Sequence, residues 1–475
     1  MTRLVLFISL LSQSAFATKE LSLEDYMHQV FGKNKTVMSE IQNMEGILER
    51  KEEASLGNSV FFTTGASISE DRTPIFAVFL PTVYTGVAVY RQTYSLGFNQ
   101  QLRFGVNWGL NYNLIRTAAS GLAAPVDVWQ LQPKLDLKIP LWKNLFGRDT
   151  RQQLQIAESS AMISHYSEKL KLKMTLTDAE NVYWRVVLAQ KVLELRKELL
   201  GRAQALQAWA KKRTDSHLGD KADLLQANAI AELRQLELDS AQYELRSASL
   251  AFNASRGRDS ITVNESLDEL PVDADSDLKA PLRVGERDDL LIALENEKIS
   301  RASSISSIER SKPSIDLVGS VALNGANSSI DTSFSQASGL NNTLTSVGVQ
   351  VSAPLDFGLV GKIHSGRDTE KQAAEWLIEA KRFEQDQEWK EMNFKFNESK
   401  KKVKLALSIE KLQREKLMHE RDRLTRGRTT TSLVIQFEQD YSQSLLSRIL
   451  AQAEVTQIYS KLKLLSGVNF TKEIL

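Results

Sequence analysis

Apolar and polar positions along the chain follow two rhythms. From Tyr94 to Leu114 almost every even position is apolar or aromatic, while the odd ones are Ser, Gly, Asn, Gln and Arg. Trp129 to Ile139 and Val347 to Val351 keep the same period of two, which predicts strands with one greasy face and one wet. Such alternation fits a half-buried soluble strand or a barrel strand between lipid and water. The second rhythm is helical. Leu188, Val192, Leu195, Leu199 and Leu206 step by 4-3-4-7, and Leu238, Ala241, Leu245, Ala248 and Phe252 by 3-4-3-4, with Val455, Tyr459 and Leu462 continuing the habit. Proline is absent from 141 to 270 and from 355 to 475, so both stretches are expected to be largely helical, punctuated by Gly201, Gly219, Gly257, Gly427 and Gly467. A helix from about Thr150 to Ser216 would span on the order of 100 Å, too long for one globular core, and needs neighbouring helices along its length.

The two rhythms recur in the same order. Leu135 to Trp142, with Pro140-Leu141, precedes the first helical stretch, and Val349 to Asp356, with Pro354-Leu355, precedes the second. Gly147-Arg148-Asp149-Thr150 is echoed by Gly366-Arg367-Asp368-Thr369, Leu218-Gly219-Asp220 by Arg426-Gly427-Arg428, and Gly257 by Gly467. This order reads as a tandem duplication of helix, strands, long helix, turn and helix. Its first copy runs over 18–257, with strands at about 59–139 and long helices at about 148–257; its second over 286–475, with strands at about 314–353, long helices at about 366–467 and a short tail. Polar, acidic 258–285 joins the copies as a linker. Pro140 and Pro354 lack the N–H that a ladder needs and fix φ, so they are expected to end strands and start helices.

Composition then removes alternatives. Lys and Arg number 60 against 59 Asp and Glu, a net charge of +1, which offers no basic excess for nucleic acid. With no Cys there are no disulfides or thiolate sites, and the five scattered His show no i, i+4 pair. Neither a cofactor nor a metal is expected, and there is no case for an enzyme. Met1-Thr2-Arg3, apolar Leu4 to Leu11 and Ala15-Phe16-Ala17 have the order of a secretory signal peptide, 1–17. No later window approaches the ~18 apolar residues of a membrane helix. With export and aromatic-rich strands together, lipid becomes the expected neighbour of the greasy face, with Tyr94, Trp108, Tyr112 and Trp129 as candidate girdle residues. Few strands per copy cannot close a barrel, and an open edge cannot face lipid, so closure requires several chains.

Leu21 to Tyr26 and Arg287 to Leu290, each entering a first helix, the two Pro-Leu hinges and the two glycine tips together resemble the TolC-like outer-membrane efflux protein family across nearly everything after Ala17. The resemblance implies an α+β membrane protein: a homotrimer giving four strands per chain to a twelve-stranded outer-membrane β-barrel, continued by a long α-helical coiled-coil periplasmic tunnel with an equatorial belt. It implies the exit duct of a tripartite efflux or type I secretion system, with outer-membrane lipid, a periplasmic adaptor (membrane fusion) protein and an inner-membrane pump or ABC transporter as partners. The alternative is a periplasmic coiled-coil adaptor without a barrel. Leu218, Gly219, Asp220, Arg426, Gly427 and Arg428 would be the adaptor-docking tips, Asp220 also capping the helix that follows. Counting from Gly427, the family's two acidic gate positions fall on Leu433 and Gln436, both uncharged, with Asp440 one turn beyond Gln436 as the alternative ring. Val60 to Ile139 is too long for two family strands and a loop, and its surplus, including Ile75 to Tyr90, is an outer loop or an extra hairpin.

Overall fold

The computed structural model describes residues 20–73, 75–76, 83–84, 88–120, 126–217, 220–271 and 278–467. The expected signal peptide 1–17, the tip residues Leu218 and Gly219 and much of the segment from Ile75 to Tyr90 lie outside them. In chain order the elements are β1 (Glu20–Leu21), α1 (Leu23–Lys33), α2 (Lys35–Glu49), β2 (Phe61–Asp71), β3 (Ile75–Phe76), β4 (Val83–Tyr84), β5 (Ala88–Gln101), β6 (Asn107–Ser120), β7 (Val126–Pro140), α3 (Arg148–Asp215), α4 (Lys221–Ser255), β8 (Ser266–Leu267), α5 (Asp288–Ser311), β9 (Ser314–Leu323), β10 (Gly325–Asn327), α6 (Ile330–Ser338), β11 (Thr343–Ser352), α7 (Phe357–Thr425) and α8 (Thr431–Leu465). They form two compact units, divided at Glu45/Gly46, His165/Tyr166, Leu290/Leu291 and Ala380/Lys381.

The helical unit buries the apolar seams. Leu195, Leu199, Leu238, Ala241, Ala248 and Phe252 are buried, Leu188, Val192 and Leu245 pack partly buried against the cluster that holds Leu195, Leu199, Ala248 and Phe252, and Val455 and Leu462 are buried in a second cluster with Phe396 and Val403. Its aromatic centre joins α1, α3 and α4: the Tyr26 ring stacks on Phe252 at 4.4 Å and lies 5.4 Å from Tyr183. The Tyr183 hydroxyl donates to Leu21 O at 2.9 Å and accepts from Asp268 N at 2.8 Å, tying the β1–β8 pair to α3. Burial pushes the Tyr183 hydroxyl up and that of Tyr26 up to about 12. Arg256, 1% exposed, is satisfied by Asn253 and by both carboxylate oxygens of Glu265, at 2.8 and 3.2 Å, while its guanidinium lies over Phe252. These hydrogen bonds hold the Glu265 carboxyl down at about 2 against the cost of burial. The segment read as a linker is thus pinned to the core, and Leu270 within it is buried.

The sheet unit holds six long strands in the order β11-β9-β7-β6-β5-β2, every neighbouring pair antiparallel, with short β10 also on β7. Four of the six, β2, β5, β6 and β7, come from the region where the resemblance implies two. The surplus is therefore an additional pair of long strands. Between β2 and β5 a further small ladder pairs Ile75–Phe76 with Val83–Tyr84. The run from Tyr94 to Leu114 is a hairpin rather than one strand. Gly105, at φ +91°, reverses the chain, and because Gln100 faces Trp108, even positions stay on one face through the turn. α6 packs on β7 where Ser333 Oγ donates to Trp129 O at 2.8 Å. A Cβ on Gly325 would sit 1.8 Å from the Ser333 carbonyl oxygen, so only glycine fits.

Candidate functional site

The register sorts the sheet's side chains by face. Phe62 pairs with Phe98, Leu96 with Tyr112, Leu110 with Leu135, Leu135 with Val321 and Leu317 with Val349, so one face is predominantly apolar across the six strands, with Gln92, Gln100 and Arg116 as polar exceptions. Much of it is open: Phe62 is 58% exposed, Leu110 46% and Val347 77%. A predominantly apolar, largely exposed face on six strands of 10 to 15 residues is what lipid would require of a barrel exterior. The opposite face carries Asn99, Asn111, Lys134, Asp136 and Lys138. Lys134 pairs with Asp136 at 2.7 Å and Lys138 with Asp316 at 3.0 Å around a hollow of about 580 Å³. Gly97 and Gly109 make room there, since a Cβ on either would come within 2.7 Å of a neighbouring polar side chain. Of the candidate girdle residues, Trp108 donates its indole N–H to Gln100 at 3.0 Å, Trp129 lies under the Arg116 guanidinium, and Tyr94 is exposed.

Of the expected hinges, Pro140 ends a strand and Pro354 lies two residues past the end of β11, and neither opens a helix directly. Pro140 is the last residue of β7, and α3 starts only at Arg148. Asn144, Phe146 and Gly147, all at positive φ, make the turn, and a Cβ on Gly147 would lie 2.0 Å from Arg103 O in the β5–β6 turn. Pro354 lies three residues before α7, whose first turn is capped by Asp356 Oδ1 accepting from Leu359 N at 2.9 Å. α7 therefore begins at Phe357, nine residues before the expected start, and Gly366 lies inside it, as Gly201 lies inside α3. Asp149 and Asp368, from the two recurring Gly-Arg-Asp-Thr motifs, hold the same helix, reaching Ser306 at 2.5 Å and Ser304 at 3.3 Å on α5.

At the first tip, Asp220 caps α4, its side chain accepting from Ala222 N at 3.0 Å. At the second, Gly427 has φ +69° with open space where a Cβ would be. Arg426 pairs back with Asp422 at 2.7 Å, and the Arg428 carbonyl accepts from Arg423 at 3.2 Å. Thr430 caps α8 by accepting from Leu433 N at 3.4 Å. In the first turns of α8, Gln436 is exposed and Leu433 half-buried. Asp440 is paired with Lys416 of α7 at 3.1 Å, and Glu438 is held by Arg421 with Arg202 at 3.8 Å. Arg421 is pushed down by burial and by the Arg202 charge. These pairings were not read from sequence, though one signal pointed to them: Lys416 and Asp440 lie 12 residues either side of Arg428, and Lys402 and its partner Glu454 lie 26 either side, as an antiparallel helical hairpin demands.

Among the described residues no helix is long and apolar enough to cross a membrane, and no cluster of three or more His, Asp or Glu could hold a metal ion. No family model and no curated protein matches the chain in sequence. Solved structures do match in fold. The outer-membrane channel OprN shares 15% identity over 94% of this chain and 90% of its own, at a TM-score of 0.70. The outer membrane protein VceC from Vibrio cholerae shares 14% over 94% and 96%, at 0.69, and the Campylobacter jejuni CmeC outer membrane channel 14% over 95% and 88%, at 0.66. At such identities the likeness is one of fold: the chain shares the long helices and the sheet of these outer-membrane channel proteins, the family that the sequence resembles.

Proposed function

We propose that the protein is the outer-membrane exit duct of a tripartite efflux or type I secretion system, a passive conduit with a large periplasmic portion. The observation that carries this reading is the predominantly apolar face that spans all six long strands, backed by a polar face. A coiled-coil adaptor confined to the periplasm would leave that face in water, a contiguous apolar patch of the kind soluble proteins avoid. The channel fold supports the same reading. The sheet is open, so a barrel needs several copies, and a homotrimer is the assembly proposed. The tips 218–220 and 426–428 would meet a periplasmic adaptor (membrane fusion) protein carrying the cargo of an inner-membrane pump or ABC transporter. Leu433 and Gln436 would line the periplasmic gate, Pro140 and Pro354 would mark the strand-to-helix hinges, and 1–17 would direct export.

Four measurements test this. The protein should fractionate with the outer membrane, need detergent for extraction and crosslink as a trimer. Deletion of its gene should abolish export of the cognate cargo, and the intact chain should restore it. Extraction without detergent, or crosslinking that yields only monomers, would reject the duct.

A further inference from the structure

We infer that β2 of one copy pairs with β11 of the next and that all six strands of each copy stand in the wall, so that three copies enclose an eighteen-stranded barrel. The inference rests on the proposed trimeric duct and departs from the twelve strands its resemblance implies.

Four observations lead to it. First, both edges of the sheet lack a partner strand among the described residues. β2 is exposed along all 11 residues and β11 at every position but Gly348, and the N–H and C=O groups of such edges cannot be left bare in lipid. Second, the directions fit. Six consecutive antiparallel strands make β2 and β11 run oppositely, so rotation about an axis along the strands brings them together antiparallel. Pairing β2 with β2 would need a two-fold axis through the sheet, sending the Pro140 and Pro354 connections of the two copies to opposite sides of the membrane. Third, the faces fit. Outward apolar residues occupy even positions on β2, Phe62, Ala66 and Ile68, and odd positions on β11, Val347, Val349 and Val351. The junction must therefore pair even with odd, and it then continues the apolar face without a break.

Fourth, the additional strands have the composition of wall. β5 and β6 put Leu96, Phe98 and Leu110 on the apolar face and Asn99, Asn111 and Asn113 on the polar one, in register with both neighbours. Outside the wall that hairpin would bring its asparagines into lipid; folded into the lumen, it would expose its leucines to water. Barrel diameter grows roughly linearly with strand number, so eighteen strands give a bore about one and a half times that of twelve.

The chain has no cysteine, so introduced thiols are the only ones available for crosslinking. Ala66→Cys would be combined in turn with Thr345→Cys, Val347→Cys, Val349→Cys and Val351→Cys in the full chain, and oxidised in outer membranes. At least one combination should give covalent dimers and trimers, and Ala66→Cys alone should give none. A dimer from Ala66→Cys alone, or no crosslink in any combination, overturns the junction. Electron cryo-microscopy of the intact protein then counts the wall. Eighteen strands support the inference; a trimer with twelve strands and a displaced hairpin overturns it while leaving the duct standing; a protein that is not an outer-membrane oligomer removes the duct itself.

Discussion

Arg256 places the heaviest electrostatic demand on the helical core, because a guanidinium with 1% exposure is tolerated only when its charge and its donors are matched. Glu265 supplies the charge and Asn253 takes further donors. The Glu265 carboxyl falls from 4.5 to about 2, which at 1.36 kcal/mol per pKa unit amounts to about 3 kcal/mol as an upper bound. Because the folded-state value is depressed, this stabilisation is fully present above pH 4.5 and is lost as pH falls through about 2. Glu265→Gln keeps the shape and removes the charge. It should lower the thermal midpoint followed by circular dichroism at pH 7, with the gap to the parent narrowing as pH falls toward 2. Equal midpoints at pH 7 would show that the pair contributes nothing. Glu265 lies in a segment whose polar composition reads as a linker, and only the tertiary fold shows that it is anchored. A one-dimensional pattern records polarity but not the partner that a polar group finds.

Helix ends separate two kinds of glycine that look alike in the sequence. Gly427 and Gly467 both follow long helices at positive φ, +69° and +77°. A Cβ on Gly467 would meet the Val284 carbonyl oxygen at 2.4 Å, whereas one on Gly427 meets nothing within 4 Å. Gly467→Ala should therefore destabilise the fold itself, seen as a lower thermal midpoint and a smaller yield of assembled protein. Gly427→Trp should cost only the left-handed strain, about 1–2 kcal/mol, and leave assembly intact while abolishing export, if this tip meets an adaptor. Unchanged export would reject the tip assignment. The helical seams were legible because burial selects a period that sequence records directly: Leu195, Leu199 and Leu238 are where that period puts them, in the core. Turns were legible only where they broke the pattern. The β5–β6 turn keeps the strand phase and so stays hidden in an unbroken alternation. Gly201 and Gly366 look like punctuation yet lie inside helices, since one glycine weakens a helix interior by only ~1 kcal/mol, too little to end a helix of 68 or 69 residues.

For the whole molecule, conduction through the proposed duct depends on which charges a three-fold axis would triplicate at its narrow end. Leu433 and Gln436 bring no charge, and Asp440 has its charge offset by Lys416 at 3.1 Å, whose ammonium also lies over the Phe437 ring. Both partners are partly exposed, so the pair contributes little to stability, within about 1 kcal/mol. What it controls is the local field. Three paired aspartates present three dipoles where three bare ones would present a charge of −3, and multivalent cations distinguish sharply between the two. The intact duct should therefore show weak cation selectivity and little block by a trivalent cation from the periplasmic side. Lys416→Ala should unmask Asp440 and increase both selectivity and block, and Lys416→Ala combined with Asp440→Asn should return both to the parent level. Single-channel recording in planar bilayers reads all three. Strong block of the parent channel that disappears in Asp440→Asn alone would show that Lys416 does not neutralise the ring and that Asp440, rather than Gln436, sets the charge of the gate.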